Sequence, residues 1–174
     1  MKIEKISSGK NAPEEINVVI EIPMENNPVK YEYDKESDAI IVDRFIPVSM
    51  SYPCNYGFVP HSLGGDGDPI DVLVISSYPV VPAAVIACRP IGVLMMEDES
   101  GEDEKIIAVP TSKLDINFEQ IHDISDVRKP LLDKITHFFE RYKDLEKGKW
   151  VKIIGFENKE KAKQLIKKAI DNYK

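Results

Sequence analysis

Cysteine and histidine are scarce in this sequence, which has two of the first, Cys54 and Cys88, and three of the second. Two cysteines in a chain of 174 residues make no disulfide framework, and no Cys/His spacing suits zinc. Both thiols are therefore expected to be reduced and structural. His61 has no His or Cys partner at ligand spacing and is read as structural as well. A basic excess is also missing: thirty acidic residues face 23 basic ones for a net charge of −7, and the small Lys/Arg clusters outside the terminal helix have Asp or Glu beside them. That balance argues against a nucleic-acid footprint. Residues 80–96, the most apolar stretch, are interrupted by Pro82, Arg89 and Pro90, and Met1-Lys2-Ile3-Glu4-Lys5 contains no apolar leader core. A soluble, cytoplasmic protein with no membrane partner is expected. No repeat, low-complexity tract or Ser/Gly-rich linker divides the sequence, so residues 1–174 are expected to form a single catalytic domain with length enough to bury a core. A P-loop is absent, since Gly148-Lys149 lacks both the upstream glycine and the following Ser or Thr.

What the sequence does have is Gly64-Gly65-Asp66-Gly67-Asp68-Pro69-Ile70-Asp71-Val72, with three carboxylates in six residues. A strand would send Asp66 and Asp68 to one face and Asp71 to the other, and Pro69 would break a helix interior. Glycines that accept positive φ and a proline that fixes one φ predict a tight loop instead, on which the three side chains can converge. Crowded carboxylates repel one another unless cations are supplied, and an all-oxygen cluster selects hard ions such as Mg²⁺ or Mn²⁺. A solvated acidic turn is the ordinary alternative for a lone Asp-Gly-Asp. Two features favour the metal site: the loop runs into the apolar strand Asp71-Val72-Leu73-Val74-Ile75, and a second acidic stretch follows at residues 97–105. An EF-hand is excluded, because its fifth, sixth and twelfth positions would be Ile70, Asp71 and Ser77.

Residues 13–110 read as short β-rich runs punctuated by prolines. Glu21 interrupts the apolar strand at residues 17–23, although a Glu on a strand exterior is commonplace. At residues 29–34 the alternation puts Lys30 and Glu32 on one face and Tyr31 and Tyr33 on the other, and residues 40–45 read as the returning strand of a hairpin. Lys30 and Arg44 would then lie close together, and cross-strand ion pairs with Glu32 and Asp43 account for them on spacing alone. Tyr52 and Tyr56 lie in a Pro- and aromatic-rich loop, where they either fill a core or donate hydroxyls to phosphate oxygens. Residues 71–76, 83–95 and 105–109 add strands, and residues 97–105 read as a charged hairpin loop with Lys105 at its exit. From Ser125, a plausible N-cap, the period becomes helical through Val127, Leu131, Ile135, Phe138 and Tyr142, with Pro130 tolerable only in the first turn. One more strand at residues 150–156 precedes a terminal helix capped by Asn158, whose apolar face carries Ala162, Leu165, Ile166, Ala169 and Ile170. Strands first and helices late fit an α+β fold built on a small closed barrel, not a doubly wound sheet.

Two acidic stretches together with Lys30, Arg44, Lys105, Lys143, Tyr52, Tyr56 and Tyr142 describe a pocket for divalent ions and a polyanion. The residues alone therefore lead to a metal-dependent phosphate hydrolase. A non-catalytic OB-type module that stacks single strands is the rival from another class, and the acidic balance speaks against it. A divalent-metal nuclease or phosphodiesterase shares the chemistry and differs in substrate.

The same residues carry a resemblance. Asp66-Gly67-Asp68-Pro69-Ile70-Asp71-Val72 is similar to the signature of soluble family I inorganic pyrophosphatases. Tyr52-Pro53-Cys54-Asn55-Tyr56-Gly57-Phe58-Val59-Pro60, the stretch from Asp98 through Asp103 to Lys105, and Tyr142-Lys143 resemble that family's other blocks, in order. The resemblance implies an OB-type closed five-stranded β-barrel with two flanking helices. It also implies Mg²⁺-dependent hydrolysis of pyrophosphate to two orthophosphates with several ions per site, Mn²⁺ being a substitute. By matching position, Asp66, Asp71 and Asp103 would hold the activating ions, and Asp98 and Glu21 would help to hold those arriving with substrate. Asp68 would be the general base toward the attacking water. Lys30, Arg44, Tyr56, Lys105, Tyr142 and Lys143 would bind the phosphates, with Glu32 and Tyr52 in support. The short length resembles the bacterial type, for which a homohexamer is usual.

Overall fold

Apolar side chains at nearly every position of the central strands mean that both faces of the sheet are covered, and the computed structural model shows how. It describes residues 2–65 and 67–174. Eight strands and two α-helices follow one another as β1 (Ile16–Ile22), β2 (Val29–Asp34), β3 (Ala39–Phe45), β4 (Asn55–Phe58), β5 (Asp71–Val74), β6 (Val85–Asp98), β7 (Gly101–Pro110), α1 (Lys129–Arg141), β8 (Val151–Asn158) and α2 (Lys159–Tyr173). Strands β1, β4, β5, β7 and β6 pair in that order, and a further β1–β6 pairing closes the ring. The expected five-stranded barrel is thus present. Strand β8 continues the sheet from the outer half of β6, while β2 and β3 form a separate hairpin.

Alternate residues of the ring strands feed two apolar clusters. Leu73 and Ile107 join Ile135, Phe138 and Phe139 of α1, whereas Val72, Val74, Ile106 and Ala108 join Ala162, Ile166 and Ala169 of α2. Period-2 alternation on a sheet sandwiched between helices reads in sequence as a continuous apolar run. Asn158 caps α2, its side chain accepting from the Lys161 amide at 3.0 Å, as its position before the helix suggests. Both cysteines are free and buried, and burial raises the Cys54 thiol to about 12.

Two expectations need correction. Ser125 does not cap α1. It lies in a 3₁₀ turn, Ile124–Asp126, that is held by Asp123 and Asp126 in a reciprocal capping box. The helix proper starts at Lys129 with Pro130 in its first turn and no side-chain cap. A cap at Ser125 would have placed Pro130 in the second turn, where its ring meets the backbone behind it, so the proline sets the boundary. Residues 97–105 are not a loop either. Strands β6 and β7 run on to Asp98 and from Gly101, leaving Glu99 and Ser100 as the turn, so their carboxylates hang from a rigid ladder.

Backbone irregularities set the shape. Proline at position 90 withholds an amide where the β6–β7 register shifts, at the point where β6 passes from pairing with β1 to pairing with β8. Gly57 lets β1 come close, because a Cβ there would lie 1.9 Å from the Val19 carbonyl oxygen. Fully buried Asn55 clamps β4 to its surroundings: Oδ1 accepts from the Met24 and Val80 amides at 3.0 and 2.8 Å, and Nδ2 donates to Ser76 Oγ and the Tyr78 carbonyl at 2.8 and 3.1 Å. Asn55→Ala would leave those amides buried without partners. It is expected to lower the unfolding free energy by roughly 3 kcal/mol, a loss to be read from urea denaturation curves.

Candidate active site

Every candidate residue that the structure describes lines one open cleft of about 490 Å³. Asp66 lies outside the described residues. The floor of the cleft follows from strand register. Parallel pairing of β5 with β7 sets Asp71 beside Lys105, and Asp103, two residues earlier on β7, shares the same face. Lys105 is 5% exposed and donates to Asp71 Oδ2 at 2.5 Å and Asp103 Oδ1 at 2.6 Å. Burial opposes its charge, but the two carboxylates outweigh burial and push its pKa up. Burial also raises Asp103, against the pull of Lys105.

Glu21 reaches the cleft through a bulge. The β1–β4 register shifts between Ile20 and Ile22, so Glu21 is an extra residue and its side chain turns inward to the cleft. It is 8% exposed, and Oε1 accepts the Tyr33 amide at 2.7 Å. Burial pushes this carboxyl up to about 8; the Tyr33 hydrogen bond opposes the shift and Asp71 and Glu32 add to it. A second register shift, between Lys30 and Tyr31, makes Asp43 the extra residue of β3. Asp43 meets Arg44 Nη1 at 2.7 Å and Lys30 Nζ at 3.4 Å, while Lys30 also donates to Glu32. Lys30 and Arg44 are cross-strand partners, as expected, but of these ion pairs Lys30–Asp43 alone crosses the hairpin, whereas Lys30–Glu32 and Arg44–Asp43 each lie within one strand.

The opposite wall comes from residues 142–149. Lys143 is 8% exposed and donates to Asp98 Oδ2 at 2.8 Å, with Glu99 at 3.4 Å. Burial works against the Lys143 charge, but the Asp98 bond prevails and raises its pKa. Tyr142 stacks on Phe138 at 5.3 Å, and Tyr52 packs against Tyr56 and Phe138 at 5.1 and 4.6 Å. All three tyrosines are buried, and burial lifts their hydroxyl pKa values above 10, so they remain donors at neutral pH. Asp68 stands at the rim with its side chain 76% exposed, 3.5 Å from Lys35 Nζ. The loop that carries it is tight: the Gly64 amide donates to the Asp68 carbonyl at 2.7 Å, and Gly67 has φ +91°.

Lys35, Lys149, Glu99 and Glu146 belong to this environment but were not singled out from sequence. They lie on turns, where charged residues are ordinary and no periodicity marks them.

The whole arrangement has close parallels. A family model described as inorganic pyrophosphatase matches residues 18–174. The chain belongs to the inorganic pyrophosphatase family. A curated inorganic pyrophosphatase from Rickettsia bellii is 64% identical over 171 residues, covering 98% of this chain and 97% of that protein. Among solved structures, an inorganic pyrophosphatase from Coxiella burnetii superposes with a TM-score of 0.94 at 51% identity, covering 97% of this chain and 100% of the other. The enzyme from Thermus thermophilus does so with a TM-score of 0.95 at 42% identity, covering 99% of each. The family reaction is hydrolysis of pyrophosphate to two orthophosphates. No helix among the described residues is long and apolar enough to cross a membrane.

The buried carboxyl of Glu21 gives a pH test. Its folded-state pKa of about 8 exceeds the ordinary 4.5, so its contribution to stability is complete below about pH 4.5 and is lost as pH rises through 8. The linkage is about 1.4 kcal/mol for each pH unit between the two values. In a chelator, Glu21→Gln should lose less stability than the unsubstituted protein between pH 5 and pH 9. Denaturant midpoints at several pH values would show the difference.

Proposed function

We propose that this chain hydrolyses pyrophosphate with Mg²⁺ bound at its cleft, and that Asp68 is the general base. The observation that carries the reading is the buried sandwich Asp71–Lys105–Asp103 beside Asp98–Lys143: carboxylates and ammonium groups alternate across one cleft, as binding a metal and a polyanion together requires. The donors fit a hard divalent ion, since they are all carboxylate oxygens and one pair already holds a positive charge between them. Among the described residues no three His, Cys, Asp or Glu converge on one point, because Lys105 and Lys143 occupy the space between the carboxylates. Asp66, Asp71 and Asp103 would hold the activating ions, and Asp98 and Glu21 those that arrive with substrate. Mn²⁺ is expected to replace Mg²⁺. When bound, such ions neutralise phosphate charge and lower the pKa of the attacking water.

The side chains supply the remainder. Asp71, Asp103 and Asp98 would turn from their lysines to hold the ions, and Lys105 and Lys143 would then face phosphate oxygens. Lys30 and Arg44 grip the substrate from the hairpin, held by Glu32 and Asp43. Buried Tyr56 and Tyr142 donate hydroxyls without adding charge, while Tyr52 braces them through its ring contacts. Asp68, exposed at the rim, takes the proton from water at a carboxylate oxygen, and Lys105 or Tyr142 stabilises the leaving phosphate. A single catalytic domain, a homohexamer and a cytoplasmic location complete the reading.

Phosphate release from pyrophosphate should require Mg²⁺ and stop when a chelator is added. Asp68→Asn is expected to lower kcat about 10²- to 10⁴-fold, with Mg²⁺ affinity by calorimetry changed only a few-fold. Equal turnover in the variant would reject Asp68 as the base.

A further inference from the structure

Arg44 is the one phosphate-binding candidate whose guanidinium is shared between two carboxylates from different parts of the fold. Asp43, its neighbour on β3, takes Nη1 in an aligned bond at 2.7 Å. Glu146, from the segment between α1 and β8, places Oε1 3.3 Å from Nε. Both of these last atoms are buried, and neither makes a hydrogen bond, so the two charges meet without alignment. The fork turns separate N–H groups to the two carboxylates, an aligned one to Asp43 and an unaligned one to Glu146. Burial opposes the Arg44 charge, but Glu146 and Asp43 together outweigh it and raise its pKa.

Glu146 also has a main-chain tie. Its amide donates to the Lys143 carbonyl at 2.9 Å, and its own carbonyl accepts the Lys149 amide at 3.2 Å. One residue is therefore linked by backbone to the turn that carries Lys143 and by side chain to the hairpin that carries Arg44. Among the described residues no ring strand pairs with that hairpin, so side-chain contacts must hold Arg44 at the cleft.

We infer that Glu146 is a positioning residue which, through its carboxylate, sets where the Arg44 guanidinium stands relative to Lys143 and so fixes the span of the phosphate-binding wall. With Nε and Nη1 turned to Glu146 and Asp43, the Nη2 group is left to meet an anion. The inference rests on Arg44 binding substrate phosphate, as proposed above.

A double-mutant cycle tests it in the full-length protein with saturating Mg²⁺. Glu146→Gln keeps the side-chain volume and removes the charge. It should raise KM for pyrophosphate about fivefold to tenfold, with kcat within about threefold and the melting temperature nearly unchanged. Arg44→Ala alone should raise KM more. In the Arg44→Ala background, adding Glu146→Gln should leave KM where it was, because the residue through which Glu146 acts is gone. Glu146→Asp, which keeps the charge, should recover most of the lost affinity. If Glu146→Gln does not fold, Glu146→Ala carries the same cycle: a rise in KM seen only where Arg44 is present supports the inference, and any other pattern overturns it. An unchanged KM in Glu146→Gln, or the same multiplication of KM with and without Arg44, overturns the positioning role alone. An unchanged KM in Arg44→Ala overturns the reading of Arg44 as a phosphate ligand, and the positioning role with it.

Discussion

Lys105 is buried between Asp71 and Asp103, and the cleft is built on that contact. An isolated ammonium taken out of water loses several kcal/mol of hydration, more than a single ion pair commonly returns. Here two carboxylates at 2.5 and 2.6 Å outweigh the loss, and the lysine stays charged. The same pairing keeps the carboxylates from driving one another apart at the bottom of a cleft that also holds Glu21 and Asp98. Parallel pairing of β5 and β7 imposes the geometry, because a shift of one residue would send Lys105 to the other face of the sheet.

The other side chains arrive by departures from regular structure. A bulge in β1 turns Glu21 inward, and a bulge in β3 brings Asp43 against both Lys30 and Arg44. Positive φ at Gly67 belongs to the loop that presents Asp68. The regular strands and helices hold the walls still, and the irregular positions aim the functional groups.

This division explains what could be read from sequence. Apolar runs broken by prolines gave the strands, and the resemblance in motif blocks named Asp71, Asp103 and their companions, which the cleft brings together. Helix α2 and its cap at Asn158 were legible because a polar capping residue and a 3.6-residue period coincide there. Ser125 misled because it looks like a cap while Pro130 sets the start of α1. Charge density hid the long β6–β7 arms, since Glu and Asp depress strand propensity and the ladder of backbone hydrogen bonds overrides it. Glu21 was visible as an oddity in an apolar strand, yet its depth and raised pKa depend on a bulge that no local pattern announces. Lys35, Lys149 and Glu146 gave no signal, because what matters about them is a distant partner.

The hairpin of β2 and β3 stands apart from the ring, tied to it by the Tyr33 amide on Glu21 and by the stacking of Tyr33 on Phe58 at 5.9 Å. Half of the cationic grip is therefore mounted on an arm, and the other half on a rigid block. Shifting the arm breaks no ladder between sheets. One of its two ties is the Glu21 side chain, which also lines the cleft, so the joint of the arm and the wall of the cleft share a single residue.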